Sequence, residues 1–69
     1  MNIKTFPENL KNLRKASGLS QSQLAEIIKV SIKTISHWET GYSEPSLLYL
    51  NLLANHFEIS IDQLVGRID

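Results

Sequence analysis

The stretch LSQSQLAEIIKVSIKTISHWETG, Leu19 to Gly41, decides the fold of this 69-residue chain. It contains two helix signals that are separated by a tight turn around Lys29 and Val30. The first half begins with Ser-Gln-Ser-Gln, a capping-box pattern in which a serine and a glutamine bond each other's backbone N–H groups. In the second half Ile35 and Trp38 are three residues apart and predict one inward face.

Similar start signals predict three further helices outside this stretch. Thr5 and Glu8 fit a capping box at the start of a first helix. Ser46 after a proline opens a fourth helix, and Ser60 opens a short fifth one. The expected inward side chains of the fourth helix are Leu47, Leu50, Leu53, Ala54 and Phe57. The pattern therefore predicts an all-α fold, with one domain over residues 1–69 and a helix-turn-helix unit at about residues 21–40.

The composition narrows the classes of function. The chain has no cysteine, so it has no disulfide framework and no thiolate metal site, and its two histidines lack metal-ligand spacing. No nucleophile–base pair and no phosphate loop is visible in the sequence, so we expect neither an enzyme nor a bound cofactor. No apolar run approaches the roughly 18 residues of a membrane span, so no membrane partner is expected.

The formal net charge is zero, but the charges are unevenly distributed. Residues 1–38 hold six cationic and two anionic side chains, a balance of +4, whereas residues 39–69 hold one and five, a balance of −4. Such a split is expected when one face meets an anionic partner. A solvated surface can show the same split by chance.

The helix-turn-helix stretch resembles the DNA-binding domains of phage repressors and Cro proteins, the XRE-like family. The matching pieces are LSQSQLA, VSIKTISHWETG, EPS and ISIDQL. The resemblance implies a compact five-helix, lambda-repressor-like fold that binds double-stranded DNA as a homodimer and represses transcription at an inverted repeat. It also implies a cytoplasmic protein of bacterial or phage origin. Small domains of this family also serve as antitoxins, which is the alternative function.

The outer face of the third helix holds the candidate base readers. They are Ile32, Lys33, Ser36 and His37. Short polar side chains let a helix enter the DNA major groove, where Lys33 suits guanine O6 and N7 and His37 suits a base acceptor. Ile32 suits a thymine methyl group. The alternative is that these are ordinary solvated residues.

A second set of residues is expected at phosphates or at the edge of the site. Its members are Gln21, Ser22, Lys29, Thr34 and Tyr42. Gln21 and Ser22 begin a helix, where backbone N–H groups favour an anion, although simple helix capping is the alternative. The resemblance also implies that Arg14 and Glu39 form a structural ion pair.

Two departures from the family pattern also lead to expectations. Lys29 stands where the family often has glycine inside the motif, so it is expected in left-handed backbone, and Glu58 stands where the family often has glycine before the last helix. Leu48, Tyr49 and Leu52 form a surplus apolar face on the fourth helix. This face predicts a contact with a second copy, another protein or a missing C-terminal domain, unless these are singly exposed apolar residues.

Overall fold

The computed structural model describes residues 5–67 and contains, within that range, five α-helices and no β-strand. The helices are α1 Phe6–Ala16, α2 Gln21–Ile28, α3 Ile32–Thr40, α4 Leu47–Phe57 and α5 Ile61–Val65. The predicted all-α class and the five helix positions are confirmed. Lys4 and Asp69, which contribute to the charge count, lie outside the described residues. None of the described helices is long and apolar enough to span a membrane.

Serine side chains start four of the five helices. Ser20 Oγ accepts the N–H of Gln23 at 3.0 Å, and Gln23 Oε1 accepts the N–H of Ser20 at 2.8 Å, which completes a capping box. Ser60 and Gln63 make the same reciprocal pair in α5. Ser31 and Ser46 cap α3 and α4 through single bonds.

The capping box predicted at Thr5 is wrong. Thr5 does precede α1 with extended backbone, but its side chain accepts no backbone N–H. Its hydroxyl instead donates to Glu8 Oε1 at 3.5 Å. The local sequence allows both arrangements, because the glutamate that would complete the box can also accept the threonine hydroxyl.

Two helices end at residues in left-handed backbone that are not glycine. Lys29 closes α2 with a φ of 69°, and Glu58 closes α4 with a φ of 58°. The conformation of Lys29 was expected from the glycine that the family often has there, whereas that of Glu58 is a finding of the structure. A non-glycine residue in this region costs about 1–2 kcal/mol, so each ending carries some strain.

The core is built from one face of each helix. Its buried apolar members are Leu10, Leu24, Ala25, Ile28, Ile35, Trp38, Leu53, Ala54 and Leu64. α1 packs on α3 and α5, α2 packs on α3 and α4, and α4 packs on α5. The α2–turn–α3 unit is thus fixed from two sides, by α1 and by α4.

Two predictions for α4 are corrected by this packing. Leu47, expected to face inward, is 67% exposed, because it is the first residue of α4 and lies at the edge of the inward face. Tyr49, expected on the surplus apolar face, is half-buried, and its ring centroid lies 5.5 Å from that of Trp38. Tyr49 therefore belongs to the margin of the core.

Candidate nucleic-acid interface

α2 and α3 are joined by three residues, 29–31, in a tightly closed turn. The carbonyl of Ala25 accepts two N–H groups from this turn, that of Lys29 and that of Val30, the latter at 3.0 Å. The Ala25 side chain is itself buried. A small residue at this position allows α3 to cross close to α2, which is the packing that a helix-turn-helix needs.

α3 has one face in the core and one face toward solvent. Ile35 is fully buried and Trp38 is 3% exposed, so these two side chains fix the helix to the body of the domain. The four candidate base readers are Ile32, Lys33, Ser36 and His37. At about 100° per residue they occupy an arc of roughly 140° on the side away from the core. Ile32 and Lys33 are exposed, whereas Ser36 and His37 are half-buried.

The end of α3 is organised around His37. Its carbonyl accepts the N–H of Gly41 and, at 2.9 Å, the N–H of Tyr42. The Tyr42 ring then lies against the imidazole, with ring centroids 4.5 Å apart and planes tilted by 46°. Tyr42 is nevertheless 79% exposed. This ring pair had no signal in the sequence, because it depends on the course of the chain after Gly41.

A buried ion pair joins α1 to α3. Arg14 Nε donates to Glu39 Oε2 at 2.6 Å and Arg14 Nη2 donates to Glu39 Oε1 at 3.1 Å, a two-point contact. The side chains are only 10% and 3% exposed. The hydrogen bond from Arg14 to Glu39 raises the pKa of Arg14, and the nearby charge of Glu39 also raises it, although burial opposes both effects. The guanidinium therefore stays charged throughout the physiological pH range.

The same carboxylate also holds the first residue of α2. Gln21 Nε2 donates to Glu39 Oε1 at 3.1 Å, and Arg14 Nη1 donates to the carbonyl of Leu19 at 2.8 Å. Glu39 thus connects the end of α3 to α1 and to the start of α2. Of these contacts, the sequence indicated only the pair of Arg14 and Glu39, and only through the family resemblance.

The other candidate phosphate contacts are spread over the helix starts and the turn. Ser22 is exposed in the first turn of α2, and Lys29 is exposed in the turn. Thr34 is half-buried, and its hydroxyl lies 2.9 Å from Ser31 Oγ. Where Ser31 Oγ is the donor of this bond, the Thr34 hydroxyl keeps its own proton for a phosphate.

Three leucines of α4 form an exposed apolar surface, here called the outer leucine patch. They are Leu47, Leu48 and Leu52, which are 67%, 63% and 40% exposed. Leu48 and Leu52 are one helical turn apart and therefore neighbours on the surface. Leu48 and Leu52 lie on the solvent side of α4, whereas Leu47 lies at the edge of the inward face, close to the direction of the buried Ala54.

Comparison with known proteins identifies the architecture around these residues. A helix-turn-helix family model matches residues 10–64, which make up 55 of the 69 residues. The chain belongs to the Cro/C1-type helix-turn-helix family. The match runs from the middle of α1 to the end of α5, so it includes the α2–turn–α3 unit and the ion pair.

The curated relatives of this helix-turn-helix domain are mostly transcriptional regulators. The transcriptional activator BcrR of Enterococcus faecalis is 40% identical over 88% of this chain and 30% of its own length. The phage CTXphi transcriptional repressor RstR of Vibrio cholerae is 40% identical over 87% of this chain and 54% of its own length. The antitoxin PezA of Streptococcus pneumoniae is 32% identical over 87% of this chain and 38% of its own length. The chain thus spans about half or less of the length of these relatives.

Solved structures confirm the lambda-repressor-like fold. A transcriptional regulator from Listeria innocua, 38% identical, superposes with a TM-score of 0.88 over 94% of this chain and 61% of that chain. The P22 c2 repressor in complex with a synthetic operator, 29% identical, superposes with a TM-score of 0.84 over 90% of this chain and 94% of that chain. The second of these helix-turn-helix domains was solved on DNA.

Proposed function

We propose that this domain binds double-stranded DNA sequence-specifically and represses transcription, with α3 in the major groove. The observation that carries this proposal is that α3 has one face in the core and one face toward solvent. Ile35 and Trp38 attach the helix to the core, while Ile32, Lys33 and Ser36 stay available on the outer face. The operator complex of the similar P22 c2 repressor supports the same choice of partner.

The base-reading roles follow from the chemistry of each side chain. Lys33 donates to guanine O6 and N7, and Ile32, which is half exposed, covers a thymine methyl group. His37 donates to a base acceptor one helical turn further along. Ser36 lies between them and is short enough to let the helix backbone approach the bases. Each good base contact is expected to discriminate by about 1–3 kcal/mol.

The phosphate-contacting roles belong to Gln21, Ser22, Lys29, Thr34 and Tyr42. Gln21 and Ser22 present backbone N–H groups at the start of α2, where the helix dipole favours an anion. The bond from Gln21 to Glu39 holds the side chain in place and leaves its second amide hydrogen for a phosphate. These contacts set the position of the domain on the duplex, and the base contacts set the sequence.

Selection of bound sequences from random duplex DNA tests the proposal. The wild type should enrich one motif, and Lys33→Ala should relax the preference at one base position. Arg67→Ala is the control, because it removes the same charge from a residue after α5. If the wild type enriches no motif, the proposed function fails. If Lys33→Ala weakens binding to all sequences equally, Lys33 contacts a phosphate and its base-reading role fails.

We further propose a homodimer on an inverted repeat, with the two copies of α3 about 34 Å apart. The outer leucine patch is the contact between the copies, since Leu48 and Leu52 are exposed neighbours on the solvent side of α4 and form an apolar surface that a partner can cover. Sedimentation analysis should show a dimer that Leu48→Lys with Leu52→Lys converts to a monomer. A wild-type monomer both free and on operator DNA would contradict this arrangement.

The similarity to an antitoxin favours one alternative, in which the outer leucine patch binds a toxin and DNA binding serves autoregulation. The two functions differ in the stoichiometry of the purified protein. A stable complex with a second, small polypeptide that Leu48→Lys abolishes would favour the antitoxin function. In both functions we propose a cytoplasmic DNA-binding protein without catalytic activity or cofactor.

A further inference from the structure

The side chain of His37 needs an external support if it is to read a base. Within residues 5–67 its imidazole makes no hydrogen bond to the protein, so no polar contact fixes its orientation. It is half-buried at the end of the outer face of α3. A side chain that contacts a base from such a position discriminates well only if its ring is already held in one orientation.

The Tyr42 ring is the group that lies against it. The two ring centroids are 4.5 Å apart, within the range of favourable aromatic pairs. The tyrosine is itself fixed at its backbone, since its N–H donates to the His37 carbonyl at 2.9 Å. The turn between them passes through Gly41, which has a φ of 79° and faces Pro7 of α1, 3.6 Å from the position of an added Cβ.

Tyr42 has no evident structural role that explains its aromatic ring. It is 79% exposed, so its ring contributes little to the core. Within the described residues its hydroxyl makes no hydrogen bond. The contact with His37 is its one ring contact in this part of the chain.

We propose that Tyr42 is a specificity-determining positioning residue, whose ring orients the His37 imidazole toward one base position of the operator. This rests on the proposed function, because it assigns a role within sequence-specific DNA binding. It differs from the phosphate contact expected for Tyr42, since a phosphate contact uses the hydroxyl and carries no sequence information. The ring and the hydroxyl can be separated experimentally.

The test compares the base preferences of five proteins by selection from random duplex DNA. They are the wild type, Tyr42→Phe, Tyr42→Ala, His37→Ala and the double variant Tyr42→Ala with His37→Ala. Tyr42→Phe should retain the wild-type preference, because it keeps the ring. Tyr42→Ala should lose roughly three- to ten-fold of the preference at one base position, the range expected from the loss of an aromatic pair. That position should be the one that His37→Ala relaxes, and Tyr42→Ala should change nothing further in the His37→Ala background.

Three outcomes overturn the inference. A uniform loss of affinity in Tyr42→Phe and Tyr42→Ala, with unchanged base preference, makes Tyr42 a phosphate contact. Additive effects of Tyr42→Ala and His37→Ala at different positions show that the two residues act independently. A wild type that enriches no motif overturns the proposed function, and this inference with it. If the wild type enriches a motif but the variants do not behave as expected, this inference fails and the proposed function stands.

A measurement without DNA checks the physical basis. The imidazole protons of His37 should show a ring-current shift in the NMR spectrum that Tyr42→Phe preserves and Tyr42→Leu removes. Urea unfolding of the same variants should keep the wild-type midpoint, because the exposed ring carries little stability. An unshifted imidazole in the wild type would contradict the ring contact on which the proposal rests.

Discussion

Replacing Glu39 by alanine should strongly destabilise this domain. The substitution removes three hydrogen bonds, two from Arg14 at 2.6 and 3.1 Å and one from Gln21 at 3.1 Å. Arg14 would keep only its bond to the carbonyl of Leu19, with a side chain that is 10% exposed. Leaving a buried charge without its partner costs about 3–5 kcal/mol.

This cost is comparable with the whole stability of a chain of this size. At about 0.05–0.15 kcal/mol per residue, 69 residues give a free energy of unfolding of roughly 3–10 kcal/mol. A small domain has an m-value near 1 kcal/mol per molar urea, so the midpoint should fall by about 3 M or more. We therefore expect Glu39→Ala to lose about a third or more of the free energy of unfolding.

The fluorescence of Trp38 reports this unfolding. Trp38 is the only tryptophan of the chain and is 3% exposed, so unfolding transfers it from the core to water. Arg67→Ala is the control, because it breaks an ion pair of 3.4 Å whose side chains are 74% and 50% exposed. Exposed pairs contribute about 0–1 kcal/mol, so the control should keep a near wild-type midpoint.

A loss below about 1 kcal/mol in Glu39→Ala would refute the reasoning. A double variant sharpens the test, since Arg14→Met with Glu39→Leu removes both charges and leaves none stranded. It should be more stable than the sum of the single substitutions predicts. Additive losses would show that Arg14 and Glu39 are not energetically coupled.

Four further predictions concern the backbone, the helix starts, the packing and the charge. Lys29→Gly should stabilise the domain by about 0.5–1 kcal/mol, because it relieves left-handed strain. Gly18→Ala should destabilise by a similar amount, since the position has a φ of 73° and no atom within 4 Å of an added Cβ, so only strain is changed. Ser20→Ala should lose about 1 kcal/mol of unfolding free energy, whereas Thr5→Ala should lose almost none because its side chain makes no cap bond. Equal losses in these two variants would contradict the assignment of the caps. Ala25→Leu should cost about 1–3 kcal/mol in urea unfolding, because it forces α2 and α3 apart, and a neutral effect would show that the crossing has spare room. A plot of the logarithm of the DNA-binding constant against the logarithm of the salt concentration should have a slope of about −3 to −5 per domain, because few cationic side chains contact the DNA backbone. A slope steeper than about −8 would contradict this estimate.

The helix positions could be predicted because they depend on contacts between near neighbours in the chain. Ser20 and Gln23 satisfy each other locally, and the same is true at Ser60. The left-handed end at Lys29 was indicated by the glycine that the family often has at that position, and Glu58 ends α4 in the same conformation. The errors came from choices that the local sequence leaves open. Thr5 had a carboxylate as an alternative partner, and the placement of Tyr49 was decided by Trp38 on another helix.

The sequence predicted which residues of the candidate site face outward, but not the contacts between their side chains. The outward residues of α3 follow from the helical period once Ile35 and Trp38 are assigned to the core. Their roles at bases and phosphates stay predictions. Two contacts of the site, the bond from Gln21 to Glu39 and the ring pair of His37 with Tyr42, connect side chains of different segments. Their geometry is set by tertiary structure. No periodicity in the sequence encodes such contacts.

The three-way contact at Glu39 also affects whether the protein or the DNA changes shape when the two bind. A single buried carboxylate connects α1, the start of α2 and the end of α3, so we expect these elements to move as one rigid body. Such a body loses little conformational entropy when it binds, because its groups are already ordered. It also cannot bend to follow an unsuitable duplex. On the proposed function, sites with the same contacted bases but a stiffer centre should bind more weakly, since the deformation energy has to come from the DNA.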